Sequence, residues 1–341
     1  MTPGDIRRNR KNDCATGSEP SPSRSRGPVV ATLDPQVIDL LATLSKAPPA
    51  QPWDLPIASY REAGEKLVAL AGVPNTQCNV RDFVIDLPGR SVRARIYRPK
   101  GVVGSLPGVV YFHGGGFVRG SLESHDVLCR ELSVRGGFSL VSVDYRLAPE
   151  NVFPRAHADA MDSLRWVSDH AGELNIRRDA LAVAGDSAGA MLAASTAVGV
   201  QERMPGVPVR AQGLLCPVLD ATLTNDSVAR NEQAPLLSRP VLAWCVDQYF
   251  PDVGTRQSAA ASPLMRPSFA GAPPAFILSS EIDPVADDAR QYSAKLEKFG
   301  VGSEHQEFVG MPHSFFLLAG VLEQGERAIL TFAEKLSGLL Q

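Results

Sequence analysis

The chain has 341 residues and a formal net charge of −3 at pH 7. That length corresponds to one large domain or two ordinary ones, and it is enough to bury a full core. The weak net charge offers no basic field for nucleic acid, and no run of 18 apolar residues predicts a membrane span. The five cysteines are scattered, without a C-x-x-C pair or a Cys/His cluster, so we expect no metal site and a reduced, cytoplasmic setting.

The first 28 residues differ in composition from the rest of the chain. They are rich in Arg, Ser, Pro and Gly and contain almost no aliphatic side chains, so we predict a disordered tail at 1–28. The arginines near the start are not followed by an apolar stretch, which argues against a secretion signal. Two helices are then expected in 29–75, one starting at Asp34-Pro35 and the other running from about Ile57 to Ala71.

Strands and helices alternate from residue 80 onwards. Val80–Leu87 and Ser91–Arg98 predict an antiparallel hairpin that turns at Pro88-Gly89. Apolar runs predict parallel strands at Val109–Phe112, Ser139–Asp144, Leu181–Ala184, Ala211–Pro217, Ala275–Ser280 and Ser303–Phe308. Helices are expected at Asp126–Val134, Ala156–His170, Pro240–Tyr249 and Val285–Phe299, and from Ala188 and Glu323 onwards. The alternation predicts a mostly parallel α/β sheet with helices on both faces, with its site beyond the carboxyl ends of the strands.

A serine lies in the sharp turn between one of these strands and the following helix. The segment Gly185-Asp186-Ser187-Ala188-Gly189 has the G-x-S-x-G pattern of a nucleophile elbow. We expect both glycines to be required because a side chain at either position would collide with the neighbouring strand or helix. A glycine-rich turn with a serine that caps the helix is the alternative interpretation.

A serine nucleophile needs a base and an acid, and both are predicted after later strands. His313 follows the strand Ser303–Phe308 and a Gly310-Met311-Pro312 turn, which makes it the candidate base. Asp283 follows the strand Ala275–Ser280 and is the candidate acid, although it could also cap the next helix. The order serine, acid, histidine is that of α/β-hydrolases.

The tetrad His113-Gly114-Gly115-Gly116 follows another buried strand. Consecutive glycines allow backbone N–H groups to approach a developing oxyanion, so Gly114, Gly115 and Ala188 are the predicted donors. We expect His113 to hold this loop by hydrogen bonds. A flexible loop is the alternative, and a phosphate site is disfavoured because neither G-K-[ST] nor G-x-G-x-x-G follows.

In this order, the motifs HGGGF, DYRLAPE, GDSAG, EIDPVADD and GMPHSF resemble the hormone-sensitive lipase family of bacterial esterases. The resemblance covers about Leu33 to Gln341. It implies an α/β-hydrolase fold with a mostly parallel eight-stranded sheet, and the Ser187, Asp283 and His313 triad. It also implies cap helices within 29–75, a catalytic domain at 76–341 and a contribution of 220–250 to the cap. Ala190-Met191 stand where relatives often have Gly-Asn, which is expected to alter only the packing near the acyl pocket.

The resemblance implies a serine carboxylesterase that acts on small, short-acyl esters without a metal or other cofactor. An N-deacetylase or amidase acting on a specialised metabolite is one alternative, since the same triad cleaves activated amides. A non-catalytic hydrolase-fold protein that binds a small molecule is another, although such proteins typically lack a triad member. No nucleic-acid partner or stable membrane association is expected, and an exposed last strand would allow a homodimer.

Overall fold

The computed structural model describes residues 32–44 and 50–341. Its strands are β1 (Cys78–Leu87), β2 (Arg90–Pro99), β3 (Leu106–Phe112), β4 (Ser139–Asp144), β5 (Ile176–Asp186), β6 (Val209–Leu215), β7 (Ala275–Ile282) and β8 (Ser303–Pro312). Its α-helices are α1 (Pro35–Leu44), α2 (Ile57–Glu65), α3 (Asp126–Gly136), α4 (Arg155–Asp169), α5 (Ala188–Arg203), α6 (Asp226–Arg230), α7 (Arg239–Tyr249), α8 (Ala286–Lys298) and α9 (Glu323–Leu339).

The strands form one eight-stranded sheet in the order β1-β2-β4-β3-β5-β6-β7-β8. β1 and β2 form the predicted antiparallel hairpin, and β2 is also antiparallel to β4. Every other neighbouring pair is parallel. The mostly parallel sheet is therefore confirmed, and β8 lies at one edge of it as expected. Ser187, Asp283 and His313 each follow directly on the carboxyl end of a strand.

Helices cover both faces of the sheet because its central strands are apolar on both sides. One hydrophobic core lies between the sheet and α4, α5 and α8, and includes Val110, Val183 and Leu192. The other lies between the sheet and α3 and α9, and includes Tyr111, Leu132 and Phe332. This double cover buries β5 between helices, and the turn from β5 to α5 carries Ser187.

The predicted and observed boundaries differ most at three elements. The second N-terminal helix ends at Glu65 and continues as a 3₁₀ helix over Lys66–Leu70, instead of remaining α-helical to Ala71. β5 begins at Ile176, before the predicted start at Leu181. β8 continues to Pro312, because Gly310 adopts a left-handed conformation with φ 73° and the strand resumes pairing with β7 after a shift in register.

The remaining predictions concern the N-terminal tail, the cysteines and membrane-spanning helices. The predicted tail at 1–28 lies outside the described residues. The described cysteines, Cys78, Cys129, Cys216 and Cys245, are buried free thiols. Within the described ranges, no helix combines the length and the apolar character needed to cross a bilayer.

Candidate active site

The turn between β5 and α5 places Ser187 in a strained conformation. Its backbone has φ 53° and ψ −118°, which is unusual for a residue with a side chain. A Cβ atom on Gly185 would lie 2.5 Å from the carbonyl of Gly189 and 2.6 Å from the oxygen of Phe112. A Cβ on Gly189 would lie 2.5 Å from the oxygen of His113 and even closer to that of Phe112. The predicted steric requirement for both glycines is confirmed.

Three side chains from separate strand ends form a chain of hydrogen bonds. His313 Nε2 lies 2.8 Å from Ser187 Oγ, and His313 Nδ1 lies 2.6 Å from Asp283 Oδ2. All three residues are buried, with Ser187 and His313 each only 6% exposed. With the Nδ1–H bonded to Asp283, the lone pair on Nε2 faces the serine hydroxyl. This is the geometry of a nucleophile, a base and a group that orients the base.

Asp283 also contacts the residue that precedes α8. Its Oδ1 accepts a hydrogen bond from the N–H of Val285 at 3.0 Å, while Oδ2 contacts His313. Val285, and not Asp283, is the N-cap residue of α8, so the two oxygens of Asp283 hold the turn and the histidine separately. Glu281, the nearby acid, lies within β7 and accepts a hydrogen bond from the N–H of Gly310.

The buried residue Asp186 connects the serine turn to the glycine loop. Its Oδ1 accepts hydrogen bonds from Gly114 N–H and Tyr111 Oη, both at 2.8 Å, and His125 Nε2 lies 3.2 Å away. Burial disfavours the charged form, but His125 and the hydrogen bonds outweigh that effect and hold the pKa of Asp186 below its ordinary value. Sequence reasoning assigned Asp186 no role, although a charged residue at the end of a buried strand was the available signal.

The glycine loop differs from the prediction at Gly114. The N–H of Gly114 is donated to Asp186 and is therefore not available to an oxyanion. By contrast, the N–H groups of Gly115 and Gly116 have no hydrogen-bond acceptor among the described residues. Ala188 is the first residue of α5, so its N–H has no acceptor within the helix. The free backbone donors beside Ser187 are thus those of Gly115, Gly116 and Ala188.

His113 supports the same loop from below. Its Nδ1 lies 2.8 Å from the oxygen of Gly114, and its ring stacks on Tyr145 with 4.3 Å between centroids. Tyr145 in turn donates a hydrogen bond to the oxygen of His113. Burial, together with the nearby His125, lowers the pKa of His113 to about 4. His113 therefore stays neutral and acts as a structural residue, as expected.

A cavity opens above Ser187. Its apolar wall includes Leu67, Val68, Leu237, Val241, Leu242 and Val246. These residues come from two segments, 57–70 and 226–249, which lie in the regions that the sequence assigned to a cap. Gly115, Ser187 and His313 lie at the base of the same cavity. A substrate therefore reaches the serine hydroxyl through an enclosed and largely apolar space.

Polar contacts join the first segment, and the residues just before the second, to the body of the protein. Arg61 of α2 donates hydrogen bonds to the oxygens of Val118 and Ala148 and forms an ion pair with Glu150 at 2.7 Å. Asp288 of α8 accepts hydrogen bonds from the N–H groups of Leu219 and Asp220.

Asp287 and Asp288 lie in the first turn of α8, where acids favour the start of a helix. Asp287 also accepts a hydrogen bond from the N–H of Ser227, next to α6. Burial raises the pKa of Asp288 to about 7.

One group of potential metal ligands among the described residues includes Asp283 and His313. Cys216 Sγ lies within 4.8 Å of ligand atoms of Asp283 and His313. The carboxylate and the imidazole are already joined by a hydrogen bond, and burial with the nearby Asp283 raises the pKa of the Cys216 thiol. A protonated thiol is a poor metal ligand, so these residues fit a hydrogen-bonded triad better than a metal centre.

Comparison with known proteins identifies the family and the fold. A family described by an alpha/beta hydrolase fold matches residues 109–317. The chain belongs to the α/β-hydrolase family. The resemblance to its hormone-sensitive lipase branch is also confirmed. The predicted fold class is therefore correct.

Related α/β-hydrolases align over most of the chain. The chain is 35% identical over 279 residues to ethyl acetate hydrolase of Pseudomonas putida, and the alignment covers 81% of this chain and 88% of that protein. It is 32% identical to an arylesterase of Saccharolobus solfataricus, covering 83% and 92%. A solved hyperthermophilic esterase from Pyrobaculum calidifontis is 36% identical and superposes with a TM-score of 0.83, covering 90% of this chain and 99% of the other.

Proposed function

We propose that this α/β-hydrolase is a serine carboxylesterase that hydrolyses small, short-acyl esters. The observation that carries the proposal is the chain of hydrogen bonds from Ser187 through His313 to Asp283 at the base of an enclosed cavity. The related proteins named as an ethyl acetate hydrolase and an arylesterase support the same reaction class.

Acylation begins with the serine hydroxyl. Ser187 Oγ attacks the carbonyl carbon of the ester as His313 Nε2 takes its proton. Asp283 accepts the hydrogen bond from Nδ1–H and stabilises the imidazolium that forms. When the tetrahedral intermediate collapses, the bond to the alcohol oxygen breaks and His313 returns the proton to this leaving group. The alcohol departs and the acyl group remains on Ser187.

The tetrahedral intermediate carries a negative oxygen that needs preorganised donors. We assign this role to the N–H groups of Gly115, Gly116 and Ala188, because the structure leaves them without acceptors beside Ser187. Asp186 fixes the loop by binding the N–H of Gly114. Loss of one such donor typically costs about 2.7–4 kcal/mol of activation free energy.

Deacylation uses the same residues. His313 takes a proton from water, whose oxygen attacks the acyl carbon, and collapse releases the carboxylic acid while Ser187 Oγ recovers its proton. Water is thus the second reactant, and the protein supplies the base and the oxyanion donors in both half-reactions.

We assign the segments 57–70 and 226–249 to a cap over the site. Ser187 is 6% exposed, so the acyl group that reaches it has to enter the cavity beneath these segments. This enclosure favours short acyl chains over the long chains that a lipase binds.

Hydrolysis of a series of 4-nitrophenyl esters, from acetate to palmitate, tests the proposal. The wild type should favour the short chains, and Ser187→Ala should abolish turnover. Ser337→Ala, on α9 outside the cavity, is a matched control that should retain the wild-type profile. An optimum at long chains would indicate a lipase. A folded wild-type protein that hydrolyses none of these esters would refute the esterase and direct attention to amides or to ligand binding.

We also propose that β8 mediates a homodimer. It is an edge strand of ten residues, and its Val309 is 72% exposed. Unpaired backbone groups along an edge strand favour pairing with a second copy. Sedimentation velocity at micromolar concentration should detect the dimer, and Val309→Lys should weaken it. A wild-type protein that sediments only as a monomer would rule out this assembly.

A further inference from the structure

Arg119 places a cation in the cavity directly beside the glycine loop. Its backbone N–H donates to the oxygen of Gly115 at 3.1 Å, closing the turn that carries two of the proposed oxyanion donors. Its side chain continues along the cavity wall and its guanidinium carbon lies 4.8 Å from the centre of the Tyr60 ring. Arg119, Ser187 and His313 line the same cavity.

The charge of Arg119 has no acidic partner within the part of the chain that the structure describes. No carboxylate there lies within ion-pair distance, and no hydrogen bond from its guanidinium is formed. Two acids line the cavity, Glu65 and Asp186, and both have other partners. Glu65 accepts a hydrogen bond from Ser121 at 2.8 Å. The carboxylate of Asp186 is bound by Gly114, Tyr111 and His125.

The surrounding structure makes room for this side chain. A Cβ on Gly64 would lie 3.0 Å from Arg119 Cδ, so a larger residue there would crowd the arginine. Tyr60 is held from behind by an edge contact with Trp244, with 5.2 Å between ring centroids. The guanidinium is thus supported on an aromatic face, while its N–H groups have no acceptor among the described residues. A partly buried cation in this position is costly unless a ligand supplies the opposite charge.

We propose that Arg119 binds a carboxylate carried by the substrate, so that the preferred esters are monoanions with the carboxylate a short distance from the ester bond. The proposal rests on the esterase function argued above and specifies its substrate class. Five N–H donors in a planar fork match the two oxygens of a carboxylate. One unpartnered cation between apolar walls suits one negative charge and a short hydrocarbon spacer.

Matched substrate pairs test the proposal. 4-Acetoxybenzoate and its methyl ester differ by a charge on the leaving group, and monoethyl and diethyl glutarate differ by a charge on the acyl group. The wild type should show the higher kcat/KM for the anionic member of at least one pair. Arg119→Gln should reduce that preference by about ten- to a hundredfold, the range expected for a hydrogen-bonded charge. Arg119→Lys should restore part of it because the positive charge remains.

Two controls test whether the preference for anionic esters depends on the positive charge of Arg119 in particular. Arg327→Gln removes one positive charge from the exposed side of α9 and should leave the anionic-to-neutral ratio unchanged. Added salt should reduce the ratio for the wild type, since ions screen the attraction. If Arg119→Gln lowers kcat/KM equally for both members of each pair, the arginine is a structural support and the proposal is wrong.

The outcomes also distinguish this proposal from the esterase function itself. Turnover of the neutral esters without any dependence of the ratio on Arg119 or on salt would refute carboxylate binding and leave the esterase function intact. If no ester is hydrolysed, calorimetry with 4-acetoxybenzoate and Ser187→Ala protein tests the site directly. Binding that disappears on adding Arg119→Gln would support the carboxylate site, and binding that persists unchanged would overturn it.

Discussion

Replacing Gly114 by alanine would bring a methyl group into conflict with the Asp186 carboxylate. An added Cβ would overlap Oδ2, and it would lie 3.0 Å from Cγ and 3.2 Å from the backbone oxygen of Asp186. Gly114 does not have the left-handed conformation that itself demands glycine, so this conflict is the main cost. Asp186 cannot easily withdraw, because Tyr111 and His125 hold the carboxylate on its other sides.

The expected loss in the free energy of unfolding follows from the atoms that each substitution removes or adds. Gly114→Ala adds one methyl group to a fully packed site, which typically costs about 1–3 kcal/mol of unfolding free energy. Asp186→Ala leaves the buried N–H of Gly114 and the hydroxyl of Tyr111 without their acceptor, and should cost about 3–5 kcal/mol. In the double variant, the added methyl group keeps only its 3.2 Å approach to a backbone oxygen. Gly114→Ala should therefore cost about 1–3 kcal/mol less in the Asp186→Ala background than in the wild type.

Urea denaturation followed by circular dichroism measures all four corners of this cycle. Gly172→Ala is the matched control, since no atom of the described residues lies within 4 Å of an added Cβ there. The kcat for 4-nitrophenyl acetate should fall with Gly114→Ala, because the neighbouring donors of Gly115 and Gly116 would be displaced. Equal costs of Gly114→Ala in the two backgrounds would refute the argument that the carboxylate alone makes glycine necessary.

Three further changes test other parts of the structure. Asp283→Asn should lower kcat by about 10⁴-fold because His313 loses the partner that fixes its tautomer. The free energy of unfolding should change little, since Oδ1 can still accept the hydrogen bond from Val285. An unchanged kcat would exclude Asp283 from the triad. Burial lowers the pKa of His113 to about 4 and that of His157 to about 3. The unfolded chain therefore binds protons that the folded one cannot between about pH 6.5 and 4. The two histidines should make stability fall as the pH is lowered through this window, by about 3 kcal/mol for His113. Asp288, whose pKa burial raises to about 7, contributes in the opposite direction. In an Asp288→Asn variant, which removes this opposing group, urea midpoints that stay constant in the window would contradict the burial argument. Arg61→Ala should raise KM more than it lowers kcat, because it releases α2 from Val118 and Ala148. If steady-state kinetics instead showed a large fall in kcat with little change in KM, Arg61 would affect the chemical step and the argument would be wrong.

The serine turn and the sheet could be predicted because their determinants are local. A backbone as sharp as that of Ser187 requires small neighbours, so Gly185 and Gly189 reveal it in the sequence itself. Continuous apolar runs between polar turns similarly reveal buried parallel strands. The candidates Asp283 and His313 were then found by elimination, since few acids and histidines follow a strand after the serine.

The contacts around Asp186 could not be predicted in this way. They join the end of β5 to Tyr111 in β3 and to His125 before α3, residues that are 61 to 75 positions apart in sequence. Gly114 was therefore predicted to serve the oxyanion, whereas its N–H binds a carboxylate that the sequence pattern treats as a variable position. Which of several adjacent glycines keeps a free N–H depends on the path of the loop, and composition does not encode that path.

The early end of α2 has a similar origin. Lys66 to Leu70 have good intrinsic helix propensity, and the prediction extended the helix through them. In the structure this segment tightens into a 3₁₀ helix, and the oxygen of Leu70 accepts a hydrogen bond from the N–H of Gly320. A long-range contact of this kind overrides a weak local preference.

The buried thiols of Cys216 and Cys245 provide built-in reporters of local opening. Cys245 belongs to α7, and its sulfur would lie 2.5 Å from a Cβ on Gly116, while Cys216 lies 3.1 Å from Ser280 Oγ beneath the triad. Burial raises the pKa of Cys245 to about 11, which makes its thiol unreactive in the closed protein. In single-cysteine variants, the labelling rate of Cys245 by a thiol reagent therefore measures how often α7 lifts from the glycine loop. The labelling rate of Cys216 measures how often the core itself opens. The two rates together therefore distinguish local opening at α7 from unfolding of the catalytic centre.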